Sequence, residues 1–256
     1  MEKEFIRDIS SIDYNSRVTI DNPLDMESCI RLKKTTNARI CVGRAADRFK
    51  TETLLRFRAD HAVAIDSVWS DVDETIIDKM EFIKVQTLIK DKEEYITRPD
   101  LGRAFSEETI ANINALCINK PDVQIIVADG LSSHAIDANI QDIYPIIVEG
   151  LEAKGYKVGT PIFVKYGRVA TMDKISEALN AKVTVLLVGE RPGLATGESM
   201  SSYMAYESST LKPESQRTVV SNIHKNGTPP VEAGAQIVYL IEVMMREKSS
   251  GVELKI

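Results

Sequence analysis

The chain has 256 residues, 43% of them apolar, so it can bury a large core in one big domain or two modest ones. Its 38 acidic and 32 basic residues give a net charge of −6 without a basic stripe, which argues against nucleic acid as a partner. The three cysteines have no C-x-x-C spacing, which fits a reducing cytosol. No apolar run reaches the roughly 18 residues that a membrane-spanning helix needs. The N-terminus is charged and does not have the pattern of a secretion signal.

The N-terminal part of the chain is predicted to be mainly helical. Residues 1–35 have weak periodicity and are expected to form a peripheral segment. Residues 36–95 are expected to form a mainly helical region. Its clearest element spans residues 51–68, where apolar side chains recur at spacings of three and four behind a Thr-x-x-Leu start, a pattern typical of an amphipathic helix.

From residue 96 onward, apolar runs alternate with helical stretches. Strands are predicted over residues 123–128, 160–164, 183–188 and 219–223. Helices are predicted over residues 107–117, 135–155 and 174–179, with a last helix over residues 231–248. Alternation of this kind implies crossover connections and therefore a parallel sheet. The predicted fold class is α/β, a Rossmann-like parallel sheet with flanking helices over residues 96–256.

Polar residues and glycines follow three of these strands, in residues 129–132, 165–169 and 189–193. The carboxyl ends of parallel strands meet at one edge of the sheet, where ligands bind. Glycine allows a planar ligand to approach the backbone, and a carboxylate such as that of Glu190 accepts hydrogen bonds from amide or hydroxyl donors. The three loops together predict a ligand pocket.

Each loop by itself also has a purely structural interpretation. Asp-Gly and Pro-Gly are common turn dipeptides, and Arg191 can pair with Glu190 at the surface. Asp129 is more readily the N-cap of the next helix than a catalytic group. Cys117 lies on an apolar helical face and is expected in the core.

Several common site signatures are missing from the sequence. None of the three histidines has a metal-ligand spacing, so no metal site is predicted. The P-loop, the nucleophile elbow and the G-x-G-x-x-G dinucleotide fingerprint are also missing. No catalytic residue is assigned within the chain.

Seven sequence blocks, in chain order, closely resemble the small subunit of ethanolamine ammonia-lyase. They are CVGRA at 41–45, LLRFRADHA at 54–62, YITRPDLGR at 95–103, IIVADGLSSHAI at 125–136, GTPIFVKYGRV at 159–169, LLVGERPGL at 186–194 and SNIHKNGTPPVEA at 221–233. The similarity runs from about residue 36 to the end of the chain and leaves out the first thirty-odd residues.

This resemblance implies an adenosylcobalamin-dependent lyase that converts ethanolamine to acetaldehyde and ammonia by a radical mechanism. It implies that cobalamin lies at the interface with a large catalytic subunit, in a hetero-oligomer, so that this chain is active only with that partner. Neither nucleic acid nor a membrane is an expected partner. The implied location is the cytoplasm, within a bacterial microcompartment.

The resemblance carries three cobalamin contacts onto this chain. Val169 matches in the KYGRV block and Glu190 in the GERPG block. Val219 stands where the family has a cysteine, so a thiol has become an isopropyl group. If the cysteine contacts cobalamin through van der Waals packing or through its backbone, Val219 can make the same contact. If the cysteine sulfur acts as a hydrogen-bonding group, the contact is lost in this chain.

A second class of function remains open at the level of sequence. The chain also fits a non-catalytic Rossmann-like module that binds a nucleotide or acts as a scaffold, although the missing G-x-G-x-x-G counts against a dinucleotide. Visible absorbance of bound cobalamin, with and without the large subunit, separates the two functions, because a stand-alone module would bind its ligand alone.

Overall fold

The computed structural model describes residues 12–14 and 16–255. The chain divides into two compact units, one of the residues up to Asp66 together with Gly193–Thr196, the other of Ser67–Pro192 together with Gly197–Ile256. Residues 1–11 of the predicted peripheral segment lie outside the described residues. The division of the chain at residues 35 and 95 stays a prediction. Within the described residues, no helix has the length and apolar content needed to cross a membrane.

The described residues of the first unit form two helices and a short hairpin. Helix α1 (Met26–Lys34) begins at Asp25, whose carboxylate accepts the backbone N–H of Ser28 at 2.9 Å. Strands β1 (Arg44–Ala45) and β2 (Arg48–Phe49) pair in antiparallel fashion. Helix α2 (Thr51–Trp69), which continues into the second unit, confirms the helix predicted over residues 51–68.

The second unit is built on a six-stranded sheet in the order β3-β5-β4-β6-β7-β8. Its strands are β3 (Ile83–Gln86), β4 (Val123–Ala128), β5 (Ile162–Lys165), β6 (Val183–Gly189), β7 (Met200–Tyr206) and β8 (Thr218–Ile223). The first four strands in the spatial order are parallel, whereas β7 and β8 are antiparallel to their neighbours. The four predicted strands are confirmed, but the prediction of an all-parallel sheet is wrong because the sheet is mixed.

The direction of β7 follows from the length of the chain that precedes it. Only residues 190–199 separate β6 from β7, and no helix forms there. A parallel connection needs a crossover of a dozen or more residues, so this shorter loop returns the chain antiparallel to β6. Strand β3 is a further departure, since it lies in the region predicted to be mainly helical and pairs with β5 at the edge of the sheet.

Helices cover both faces of the sheet. They are α3 (Glu74–Lys79), α4 (Lys92–Thr97), α5 (Glu107–Leu116), α6 (Ser133–Ala153), α7 (Thr171–Leu179) and α8 (Pro230–Glu247). Helices α6 and α8 pack on one face and contribute to the larger apolar core. Helix α7, with Ile113 and Cys117 from the α5 region, packs on the other face. Strand β6 is buried at every position because both its faces are covered, and Cys117 lies in the core as predicted.

Candidate ligand site beside the strand ends

The loops that follow β4 and β6 pack backbone against backbone. Gly130 has a φ of +60°, and the N–H of Leu131 donates to the carbonyl oxygen of Gly189 at 3.0 Å. A Cβ on Gly189 would lie 2.0 Å from the carbonyl oxygen of Ser132 and 2.5 Å from that of Asp129. These two glycines are therefore required for the contact between the loops, whereas the sequence had suggested that they admit a ligand.

The Asp129 side chain is buried and holds the loop that follows β5 through two hydrogen bonds. It is 1% exposed, and its carboxylate accepts the backbone N–H groups of Tyr166 at 2.9 Å and Gly167 at 3.1 Å. The prediction that Asp129 caps helix α6 is wrong. Ser132 takes that place, and its hydroxyl accepts the N–H of Ala135 at 3.2 Å.

The same loop is held from a second side by helix α4. Tyr166 adopts a φ of +58°, and the hydroxyl of Tyr95 donates to the carbonyl oxygen of Gly167 at 2.9 Å. Arg168 donates from Nη2 to the carbonyl oxygen of Tyr95 at 2.6 Å, and its guanidinium lies 4.2 Å from the centre of the Tyr95 ring. These contacts fix the backbone immediately before Val169.

Burial dominates the electrostatics of Asp129. It raises the pKa of this carboxyl group from 3.8 to about 6, although the ammonium group of Lys92, 3.9 Å away, and the backbone N–H groups act in the opposite direction. The charged form that accepts the two N–H groups is therefore held at a cost in desolvation.

This shift predicts a pH-dependent contribution to stability. Because the folded-state pKa is above the unfolded value, the folded chain binds more protons between about pH 4 and pH 6, and the contribution of Asp129 to the free energy of unfolding falls as the pH rises through that window. The rise of the pKa from 3.8 to about 6 corresponds to a change of about 3 kcal/mol in the contribution of Asp129 to the free energy of unfolding. Asp129→Asn should remove this slope, measured as urea unfolding of both proteins from pH 4 to pH 7. Parallel curves for the two proteins would contradict the assignment.

A cavity of about 380 Å³ lies next to this loop, on the face of the sheet that α7 covers. Its lining combines apolar and charged side chains: Arg103, Arg168, Val169, Ala170, Tyr203, Glu214, Arg217 and Val219. Tyr203 of β7 and Val219 of β8 are direct partners in the strand register. Val219 is 45% exposed, so its isopropyl group is accessible to a ligand.

Glu190 is joined to this cavity through Tyr203. The Tyr203 hydroxyl donates to Oε1 of Glu190 at 3.1 Å, and the Glu190 N–H donates to the carbonyl oxygen of Ser199 at 3.0 Å. Burial, followed by the nearby Glu190 carboxylate, raises the pKa of Tyr203 to about 12, so the phenol stays a donor at neutral pH. The structure thus brings together Val169, Val219 and Glu190, and adds Tyr203, which the sequence did not indicate.

A buried ion pair lies beside the cavity and includes Arg217 of its wall. Nη2 of Arg217 lies 2.7 Å from Oδ2 of Asp173, and the two side chains are 9% and 7% exposed. The Ser208 hydroxyl donates to the other oxygen of Asp173 at 2.6 Å, and Arg217 also pairs with Glu214 at 3.2 Å. The pair ties the start of β8 to the first turn of α7.

The fold and this site define a class of protein: a mixed α/β protein with a groove between the loop that follows the parallel strand β5 and the antiparallel strands β7 and β8. The groove offers valine and tyrosine surfaces for apolar packing, a carboxylate acceptor and guanidinium donors. Among the described residues, no group of three His, Cys, Asp or Glu side chains is placed to hold a metal ion.

Comparison with known proteins gives the family. The sequence profile of the ethanolamine ammonia-lyase light chain matches residues 26–255. The chain is 72% identical to an ethanolamine ammonia-lyase small subunit of Clostridium acetobutylicum over 230 residues, which are 90% of this chain and 95% of the relative. It is 52% identical to the small subunit of Clostridium tetani over 255 residues, 100% of this chain and 86% of the relative, and 52% identical to that of Listeria monocytogenes over 250 residues, 98% and 85%.

This chain belongs to the ethanolamine ammonia-lyase small-subunit family, also called the light chain. The resemblance drawn from the seven sequence blocks is confirmed. Its extent is corrected, because the similarity to the C. tetani protein covers this chain from end to end instead of beginning near residue 36.

Proposed function

We propose that this chain binds adenosylcobalamin at an interface with a large catalytic subunit, and that the assembly converts ethanolamine to acetaldehyde and ammonia. The observation that carries the proposal is that the three residues selected by the family resemblance lie in or next to one cavity. Val169 and Val219 line one cavity, and Glu190 is hydrogen-bonded to Tyr203 in the wall of that cavity. These residues are far apart in sequence, and only the fold brings them together.

The residues present fit the chemistry of the cofactor. A corrin has an apolar edge that bears methyl groups and carboxamide side chains, so valine side chains and a tyrosine ring suit its edge. The Glu190 carboxylate can accept hydrogen bonds from carboxamide N–H groups, and guanidinium groups can donate to carboxamide oxygens. When bound, adenosylcobalamin supplies the radical chemistry, while the protein binds, orients and excludes water.

The size of the cavity supports a shared site. Its volume of about 380 Å³ is at the lower end of the roughly 300 to 1,000 Å³ of pockets that hold drug-sized ligands, and cobalamin is larger than such ligands. This chain therefore offers one wall. A second wall from the large subunit would complete the enclosure and bring the substrate to the cofactor, in a hetero-oligomer of large and small subunits. The family resemblance further supports a cytoplasmic location within a bacterial microcompartment.

Val219 replaces the family's cysteine with an apolar contact. Its side chain is exposed toward the cavity and has no hydrogen-bonding group, so it contributes van der Waals packing. Val169 does the same from the other side of the cavity. Neither residue takes part in proton transfer, and their role is to position the ligand.

Glu190→Ala is the variant that tests the proposal. Loss of the Glu190 carboxylate leaves hydrogen-bond donors of the cofactor unpaired, at a cost of roughly 1 to 3 kcal/mol in binding free energy. The affinity of the assembled complex for cobalamin should therefore fall about tenfold to a hundredfold, as measured by visible absorbance titration. Tyr203→Phe, which removes only the hydroxyl that orients Glu190, should cost less.

The matched control is Glu242→Ala, which removes a carboxylate that pairs with Lys154 on the surface between helices α6 and α8. It should leave cobalamin affinity unchanged. If Glu190→Ala also leaves the affinity of a correctly assembled complex unchanged, Glu190 is a turn residue and the proposed site is wrong.

A further inference from the structure

Two arginines in the cavity wall lack an acidic partner. Arg103, at the end of the 3₁₀-helix Leu101–Arg103, and Arg168, after β5, both line the cavity. Across residues 12–14 and 16–255, no carboxylate lies within ion-pair distance of either guanidinium. The third arginine of the wall differs, because Arg217 is paired with Asp173 and Glu214.

Uncompensated positive charge in a concave surface is unexpected in a chain with a net charge of −6. Two guanidinium groups in one cavity repel each other and raise the local positive potential, which favours an anion at that place. The chain itself does not offset the charge of Arg168 either. Its Nε is buried and has no hydrogen-bond partner among the described residues, an arrangement that costs free energy.

The arrangement of Arg168 is fixed before any ligand binds. Its Nη2 donates to the carbonyl oxygen of Tyr95 and its guanidinium lies over the Tyr95 ring, so little side-chain entropy is left to lose. The backbone N–H groups at the start of α7 cannot bind the anion instead. The N–H groups of Thr171 and Met172 already donate to the carbonyl oxygens of Arg168 and Val169, at 2.9 and 3.2 Å. Side chains must therefore hold the anion.

We propose that Arg103 and Arg168 form an anion subsite that binds the phosphodiester of the cobalamin nucleotide loop, an inference that rests on the proposed function. The phosphodiester carries one negative charge, and its two free oxygens match the forked N–H groups of a guanidinium. The subsite shares its cavity with Val169 and Val219, so one ligand that bears both an apolar edge and a phosphodiester accounts for the whole lining.

The test compares two ligands that differ in this group. Cyanocobalamin carries the nucleotide loop with its phosphodiester, whereas cyanocobinamide lacks both, and each is titrated into the assembled large–small complex by visible absorbance. Arg103→Gln should weaken cyanocobalamin binding about five- to twentyfold, since a charge-assisted hydrogen bond is lost, and change cyanocobinamide binding less than about twofold. Arg168→Lys, which keeps the charge but loses the fork, should show the same selectivity with a smaller loss.

Two controls make the outcome specific. Arg246→Gln removes an exposed arginine of α8 that pairs with Glu247 and should change neither affinity. Glu190→Ala should weaken both ligands, because both carry corrin carboxamides. That result shows that the proposed function stands even if the anion subsite fails.

Three results would overturn the subsite. Equal weakening of both ligands by Arg103→Gln would show that the arginines do not meet the phosphodiester. Unchanged affinity for both would show that they do not contact the cofactor. Weaker assembly with unchanged cobalamin affinity would assign the arginines to a carboxylate of the large subunit. If the unmodified complex binds neither ligand, the proposed function itself fails.

Discussion

Replacing Arg217 by methionine is expected to lower the free energy of unfolding by about 3 to 5 kcal/mol, the loss typical of a buried ion pair from which one partner is removed. The Asp173 side chain is only 7% exposed in the unmodified chain. In the variant its carboxylate loses the arginine and keeps the Ser208 hydroxyl as a hydrogen-bond donor. A buried charge without its counter-ion is costly because its desolvation is no longer offset. Urea unfolding of the full chain measures the loss.

Two comparison variants separate this effect from the loss of a surface charge. Lys182 and Asp122 form a pair of the same length, 2.7 Å, but the lysine side chain is 60% exposed. Lys182→Met should therefore cost much less stability than Arg217→Met, because an exposed ion pair contributes little. The double variant Asp173→Leu with Arg217→Met should recover much of the lost stability, because an apolar pair needs no counter-ion. Equal losses for Arg217→Met and Lys182→Met would show that the pair is not buried in solution.

Gly189→Ala is expected to be the most damaging small substitution near the site. Its Cβ would lie 2.0 Å from the carbonyl oxygen of Ser132, so the loops after β4 and β6 must separate to admit it. We expect a loss of more than about 3 kcal/mol in the free energy of unfolding, since the clash is with backbone and cannot be relieved by a side-chain rotation. Displacement of Glu190, the next residue, should weaken cobalamin binding as well.

Gly193→Ala provides the matched control four residues later. The nearest heavy atom to a Cβ at that position is the carbonyl oxygen of Thr196, at 4.0 Å, so the methyl group is accommodated. Its stability should stay within about 0.5 kcal/mol of the unmodified chain. If both glycine variants unfold at the same urea concentration as the unmodified chain, the close packing of the two loops is wrong.

The central strands of the parallel part were predictable because they are buried on both faces, whereas the edge strand β3 alternates in exposure and was not predicted. Strands β4 and β6 consist mainly of valine, leucine and isoleucine, which show in the sequence as continuous apolar runs. Strand β7 did not show in this way. Two serines, Ser201 and Ser202, are buried within it and interrupt its apolar residues, so it lacks a continuous run of valine, leucine and isoleucine, although it pairs with β6 along its whole length.

The candidate site, which stays a prediction, could be proposed from the sequence only where a local pattern marks it. Glu190 follows a buried strand directly, and the family resemblance selects Val169 and Val219. Tyr203 was missed because its contact with Glu190 depends on the pairing of β6 with β7. Asp129 was misassigned because aspartate favours helix N-caps locally, whereas its actual partners are backbone N–H groups 37 and 38 residues away along the chain.

The central claim is that the groove lined by Val169 and Val219, together with Glu190, is one wall of a cobalamin site that a large subunit completes. A cryo-electron-microscopy structure of the two-subunit complex with cobalamin bound tests this claim most directly. We expect the corrin edge in van der Waals contact with both valines and a carboxamide within hydrogen-bond distance of Glu190. A cobalamin enclosed by the large subunit alone, remote from these three residues, would contradict the claim.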